Sequence, residues 1–159
     1  MTALRIKTWK RVTVGRIGTF IVARERLKTA EIKVSSFADD IIFSIMYKNT
    51  KAKLDLVRVS AKEIGLGDGV NTAEIYAAGE RHGLCLCPAE VAPQLWIQYP
   101  DLLPRGERLH IAMEAFKHSY CGSIVFHLEY CSDDRWLGVN YGEPCNTWKD
   151  DSIWVFVRK

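Results

Sequence analysis

A chain of 159 residues with 48% hydrophobic residues can build one sizeable core without disulfides or a metal, and its uncharged apolar runs, such as 18–23 and 41–47, stop far short of the roughly 20 residues a membrane-spanning helix needs. Five cysteines, odd in number and confined to the second half, argue against a secreted disulfide framework, and the start lacks the apolar segment of a signal peptide, so an unexported, cytoplasmic protein with reduced thiols is expected. The net charge of +3 conceals a division: residues 1–60 hold 13 Lys and Arg against 5 Asp and Glu, and residues 61–159 hold 9 against 14, so the first part either meets a polyanion or packs on the second and is neutralised by it.

Residues 9–14 alternate polar and apolar side chains with β-branched enrichment and predict a strand ending at the 15–18 turn. Phe20, Ala23, Leu27 and Ala30 then recur at helical spacing behind Thr19, a suitable N-cap. A second, short helix is expected from Ser35 or Ser36 over 37–42, with Asp39 and Asp40 suited to the helix dipole. Segments 43–47 and 54–59 look like two strands around a polar turn at 48–51, which makes residues 1–60 a β-α-α-β-β unit. Gly65, Gly67 and Gly69 follow, but without the spacing or context of a phosphate loop they indicate tight turning.

Asn71 and Glu74 form a capping box opening a helix whose stripe is Ile75, Ala78, Gly79 and His82, with Gly83 placed to end it. Pro88 begins one more short turn that Pro93 should cut, and no helix is expected beyond it. From Leu95 the pattern becomes period two: Leu95, Ile97 and Tyr99; Leu109, Ile111 and Met113; Ile124, Phe126, Leu128 and Tyr130; Ile153, Val155 and Val157. These predict four strands joined by Pro- and Gly-containing turns. The expectation is a single α+β domain over 1–159: a basic β-α-α-β-β part, a helical middle, and a C-terminal antiparallel sheet of about four strands.

The run from Leu86 to Leu95, with Cys87-Pro88-Ala89-Glu90-Val91 its most specific piece, followed by Gln98-Tyr99 and Ile111-Ala112-Met113-Glu114, resembles a family of small uncharacterised proteins encoded by uncultured bacteria of the candidate phyla. The likeness takes in Leu56 to Ser60, an Arg135-Trp136-Leu137 turn and the Trp154 to Lys159 terminus, covering 54–159 well and the first part loosely. Ala92 stands where the family leads one to expect glycine before Pro93. The resemblance implies one bacterial domain and brings no activity, ligand or partner with it.

Four constellations are candidates for function. If the connection 117–123 is a hairpin that keeps like faces together, His110, Glu114, His127 and Glu129 share one sheet face, where imidazoles and carboxylates could run acid–base chemistry or, with His110, His127 and Glu129 as ligands, bind a divalent metal; otherwise the face is a set of solvated pairs, and no cofactor is expected. Glu90, just after a proline-started turn, could serve a small hydrolase as a general acid with Glu114 or Asp101 as second carboxylate, since glycoside cleavage needs two. Cys87 could pair with His82 or His110, although no cysteine-hydrolase signature accompanies it, and Cys85-Leu86-Cys87 is too tight for zinc. Trp136, Tyr141 and Trp148, interleaved with polar residues near the end of the chain, could stack a small-molecule or protein ligand. The leading expectation is a non-enzymatic binding module, with a small hydrolase and nucleic-acid binding through residues 1–60 as alternatives, and no membrane partner.

Overall fold

The computed structural model describes residues 6–45, 50–142 and 146–159. Strand β1 (Lys10–Val14) ends at Gly15, where φ is 87° and a Cβ would collide with the Thr50 carbonyl, so glycine is required twice over. Helix α1 (Phe20–Thr29) is capped by Thr19 Oγ1, which accepts from Val22 N, and buries Ala23 and Leu27. The chain reverses through Ala30 and Glu31 into strand β2 (Ile32–Val34), and Ser35 Oγ then caps α2 (Ser36–Ser44) by accepting from Ala38 N.

Strand β3 (Ala52–Ser60), a single 3₁₀ turn at Lys62–Ile64 and the two-residue β4 (Val70–Asn71) lead to α3 (Thr72–Arg81). Its capping box forms as the sequence indicates, with Asn71 Oδ1 accepting from Glu74 N at 2.9 Å and Glu74 Oε1 accepting from Asn71 N. After β5 (Leu84–Cys85) comes α4 (Val91–Gln98), followed by β6 (Arg108–Ile111), β7 (Phe116–His118), β8 (Gly122–Cys131), β9 (Asp134–Tyr141), β10 (Thr147–Trp148) and β11 (Ile153–Arg158).

The strands form one sheet in the order β1-β3-β11-β6-β8-β9-β2, with β5 added to β11 and β7 to β8, and β4 and β10 make a separate ribbon. Two contacts, β11 with β6 and β2 with β9, are parallel, so the sheet is mixed. Helices α1, α2 and α4 cover one face, where Leu27, Ile41 and Trp96 meet Ile111, Phe126 and Leu128. Helix α3 and the ribbon cover part of the other, where Ile75 and Ala78 meet Val57, Val59, Trp154 and Phe156. Gly79 lets α3 approach: a Cβ there would stand 2.6 Å from the Phe156 ring.

Several expectations are corrected. Residues 95–99 are not a strand: Leu95 and Trp96 lie in α4, which Pro93 does not cut because it is the third helical residue, where the N–H has no intrahelical acceptor to lose. Val91 to Trp96 are all buried, so this helix is covered on every side and its burial has no period for the sequence pattern of Leu95, Ile97 and Tyr99 to report. Phe43 and Ser44 continue α2 and Ile45 caps its end, instead of forming a strand; residues 46 and 47 of that predicted strand and 48 and 49 of its turn lie outside the described residues, as do 143–145. Arg135 to Leu137 belong to β9, not to a turn. The first part is therefore β-α-β-α-β, and the sheet has nine strands in place of four. Salt bridges from Lys33 to Asp134 and from Arg58 to Glu107 join the basic part to the acidic one, and Asp40 meets His118 Nε2 across the same boundary.

Candidate functional site

On the face that α3 partly covers, His110 of β6 lies directly opposite His127 of β8, and Arg108 opposite Glu129. The shared face predicted for His110, His127 and Glu129 therefore forms. Each group on it is engaged: His127 Nδ1 meets Asn140 Oδ1, Glu129 Oε2 stands 3.5 Å from His127 Nε2, and Arg108 Nη2 donates to Glu129 Oε1 at 2.7 Å. The His127 ring lies over Gly138 of β9, where a Cβ would come within 2.6 Å of Nε2. His110 is stacked by Trp148 and Trp154 at ring-centroid distances of 4.6 and 5.0 Å, and its Nδ1 has no hydrogen-bond partner.

Burial, with the neighbouring His127 and Arg108 charges, lowers the His110 pKa to about 3, and burial with Arg108 lowers that of His127. Both imidazoles are neutral at pH 7. Glu114 does not join them. It is exposed, beyond the end of β6, on the rim of a cleft of about 320 Å³ beside Cys87 and Met113. Among the described residues no three His, Cys, Asp or Glu side chains form a group that could hold a metal ion.

Glu90 lies elsewhere, on the N-terminal side of α4. It is 5% exposed, and its Oε2 accepts from Gly15 N at 2.9 Å and from Gln94 Nε2 at 3.1 Å. The carboxylate thus fastens the end of β1 to α4. Asp101 is exposed and takes Arg135 at 3.2 Å. Cys87 is buried with its Sγ directed at the Val155 carbonyl, and burial pushes its thiol pKa far up, so the nucleophilic thiolate is suppressed. His82 is exposed at the end of α3. The three aromatic candidates separate: Trp148 packs on His110 and donates Nε1 to Thr72 Oγ1, Trp136 lies under Lys33 Nζ at 5.6 Å, and Tyr141 is half exposed on the opposite sheet face from Trp136.

The two edges of the sheet are treated differently. At β1, Gln98 Nε2 donates to Thr13 O at 2.8 Å, Gln98 Oε1 accepts from Thr13 N at 3.1 Å, and Tyr99 Oη donates to Arg11 O at 2.7 Å. Side chains from the end of α4 thus occupy the backbone groups of that edge. Strand β2, at the other end, pairs with β9 on one side and with no strand on the other among the described residues. Ser35 N donates to Leu137 O at 3.0 Å. Alternate residues of a strand turn their backbone groups to the same side, so Lys33 also addresses β9 while Ile32 and Val34 turn N–H and C=O outward.

Beside this open edge runs a groove of about 850 Å³. One wall is the α1 stripe Phe20, Ile21, Arg24, Glu25 and Lys28, at the spacing of a single helical face, and Ile21 is 65% exposed. The other wall is β2, closed at one end by Asp133 of the β8–β9 turn and by Asp134 and Arg135 at the start of β9. No family model, curated protein or solved structure matches the chain. Site assignment therefore rests on this geometry. Sequence reasoning missed the groove because β2 is three residues long and follows a reversal in which the non-glycine Glu31 adopts φ of 61°. The available signal was two β-branched residues, Ile32 and Val34, alternating about Lys33.

Proposed function

We propose that this protein is a binding module that captures an extended polypeptide segment as an additional strand on β2. The observation that carries the reading is the unpaired outer edge of β2 facing one side of α1 across an open groove, the arrangement in which backbone hydrogen bonds supply affinity and the second wall reads side chains. The guarded β1 edge sharpens it, because open edges invite unwanted pairing and are ordinarily blunted. Charge supports a polypeptide over nucleic acid: the groove is lined by four cations (Arg24, Lys28, Lys33, Arg135) and four anions (Glu25, Glu31, Asp133, Asp134), which gives a polyanion no net attraction. Hydrolase chemistry at Glu90 or the histidine pair has less support, because the carboxylate already holds Gly15 N and the imidazoles are covered.

The test is selection of random peptides displayed on phage against the purified protein, in parallel with Val34→Pro. Proline at 34 removes an outward N–H while leaving the bonds to β9 in place. Related sequences should enrich on the wild type and not on the variant. Absence of enrichment on the wild type, or equal enrichment on both, refutes strand capture.

A further inference from the structure

Resting on the strand-capture reading, we infer that the bound segment is recognised through one large apolar side chain seated at the Phe20–Ile21 end of the groove, five residues of extended chain being needed to reach it from the Lys28 end. In the added strand, residues opposite Ile32 and Val34 turn their side chains to the helical side of the sheet, the side on which Val34 pairs with Leu137 of the core. There they face α1. The reversal at Ala30 and Glu31, with Glu31 N donating to Lys28 O, sets α1 and β2 antiparallel, so Lys28 stands near Ile32 and the helix start lies beyond Val34.

From Lys28 back to Phe20 the helix rises about 12 Å at 1.5 Å per residue, and an extended chain covers that in about four steps of 3.3 Å. Inward-facing positions of the captured strand recur every second residue. The first therefore meets Lys28, the third meets Arg24 and Glu25, and the fifth reaches Phe20 and Ile21. Only the fifth finds an apolar wall: Ile21 is 65% exposed, and Phe20 is fixed edge-to-face against Phe43 at 5.1 Å. The opposed charges at the first and third positions suit a segment of low net charge.

A second copy of the chain fits less well, because the one antiparallel register that pairs all of Ile32 to Val34 with itself sets Lys33 against Lys33, a like-charge opposition. The occupant is thus an extended segment of a different protein with an aliphatic or aromatic anchor.

The experiment uses capped nine-residue peptides, threonine-rich with terminal lysines, carrying at the central position either leucine or threonine, each also made with N-methylated backbones. Affinities and the amide shifts of Ile32 to Val34 are read by NMR titration. The leucine peptide should bind at least about ten-fold tighter, the worth of one buried leucine. Ile21→Glu should erase that preference, and N-methylation should abolish binding of both peptides. Equal binding of the two peptides, still lost on N-methylation, overturns the anchor and leaves strand capture standing. Binding indifferent to N-methylation, or no binding by either peptide, overturns strand capture and the anchor with it.

Discussion

Acidification should destabilise this protein through His110. The folded-state pKa of His110 is held at about 3 against an ordinary 6.5, so the native state refuses a proton that the unfolded chain accepts. Stability from this group is fully present above pH 6.5 and is lost as pH falls toward 3, at up to about 1.4 kcal/mol for each pH unit. Between pH 7.5 and pH 5 that amounts to about 2 kcal/mol, a large part of the stability of an ordinary domain. His127, shifted in the same direction and directly opposite, adds to the loss. Arg108 opposes both protons, while Glu129 lies against His127 and not against His110. Urea unfolding of the wild type and of His110→Leu at the two pH values measures the effect. The variant should lose about 2 kcal/mol less than the wild type over the same interval, with m unchanged. Identical pH dependence in the two proteins would refute the reasoning.

Gly138→Ala should destabilise the protein by about 1–3 kcal/mol, because the new methyl displaces the His127 ring; thermal melts of Gly138→Ala, His127→Ala and the double variant should show the two effects to be strongly non-additive. Glu90→Ala should cost about 1–3 kcal/mol by leaving the buried Gly15 N–H without its acceptor, and Glu90→Gln, which keeps an acceptor oxygen, should cost less in the same denaturant titration. Gln98→Ala strips the cover from Thr13 and should produce more concentration-dependent association in sedimentation velocity than the wild type; unchanged sedimentation would mean that the glutamine does not guard the edge.

Where local chemistry decides structure, the sequence was legible. The caps at Thr19, Ser35 and Asn71 and the helices behind them follow from side chains that satisfy backbone groups a few residues away. Strands β6, β8 and β11 were readable because alternation persists over enough residues. The misreadings arose where a residue's usual meaning depends on its place in the element. Pro93 breaks a helix interior but is harmless in a first turn, and Ile97 and Tyr99 alternate with Leu95 only by coincidence of composition. The His110/His127/Glu129 face follows from parity, yet its meaning turns on Trp148 and Gly138, which reach it from β10 and β9, and on Arg108, two residues before His110 on β6. The groove depended on strand order, on β2 lying last beside β9 about a hundred residues along the chain, and that information is non-local.

Strand β11 sits between β3 and β6 and joins the β1–β3 pair to the remainder of the sheet. Its pairing of Ile153 with Ser60 closes a loop of about ninety residues, so the chain loses that entropy before the central contacts form. A topology of this kind folds slowly for its size. Until β11 docks, β3 and β6 each present an unpaired edge, and concentrated refolding is where β11, rather than the edge strand β2, governs the competition between folding and aggregation.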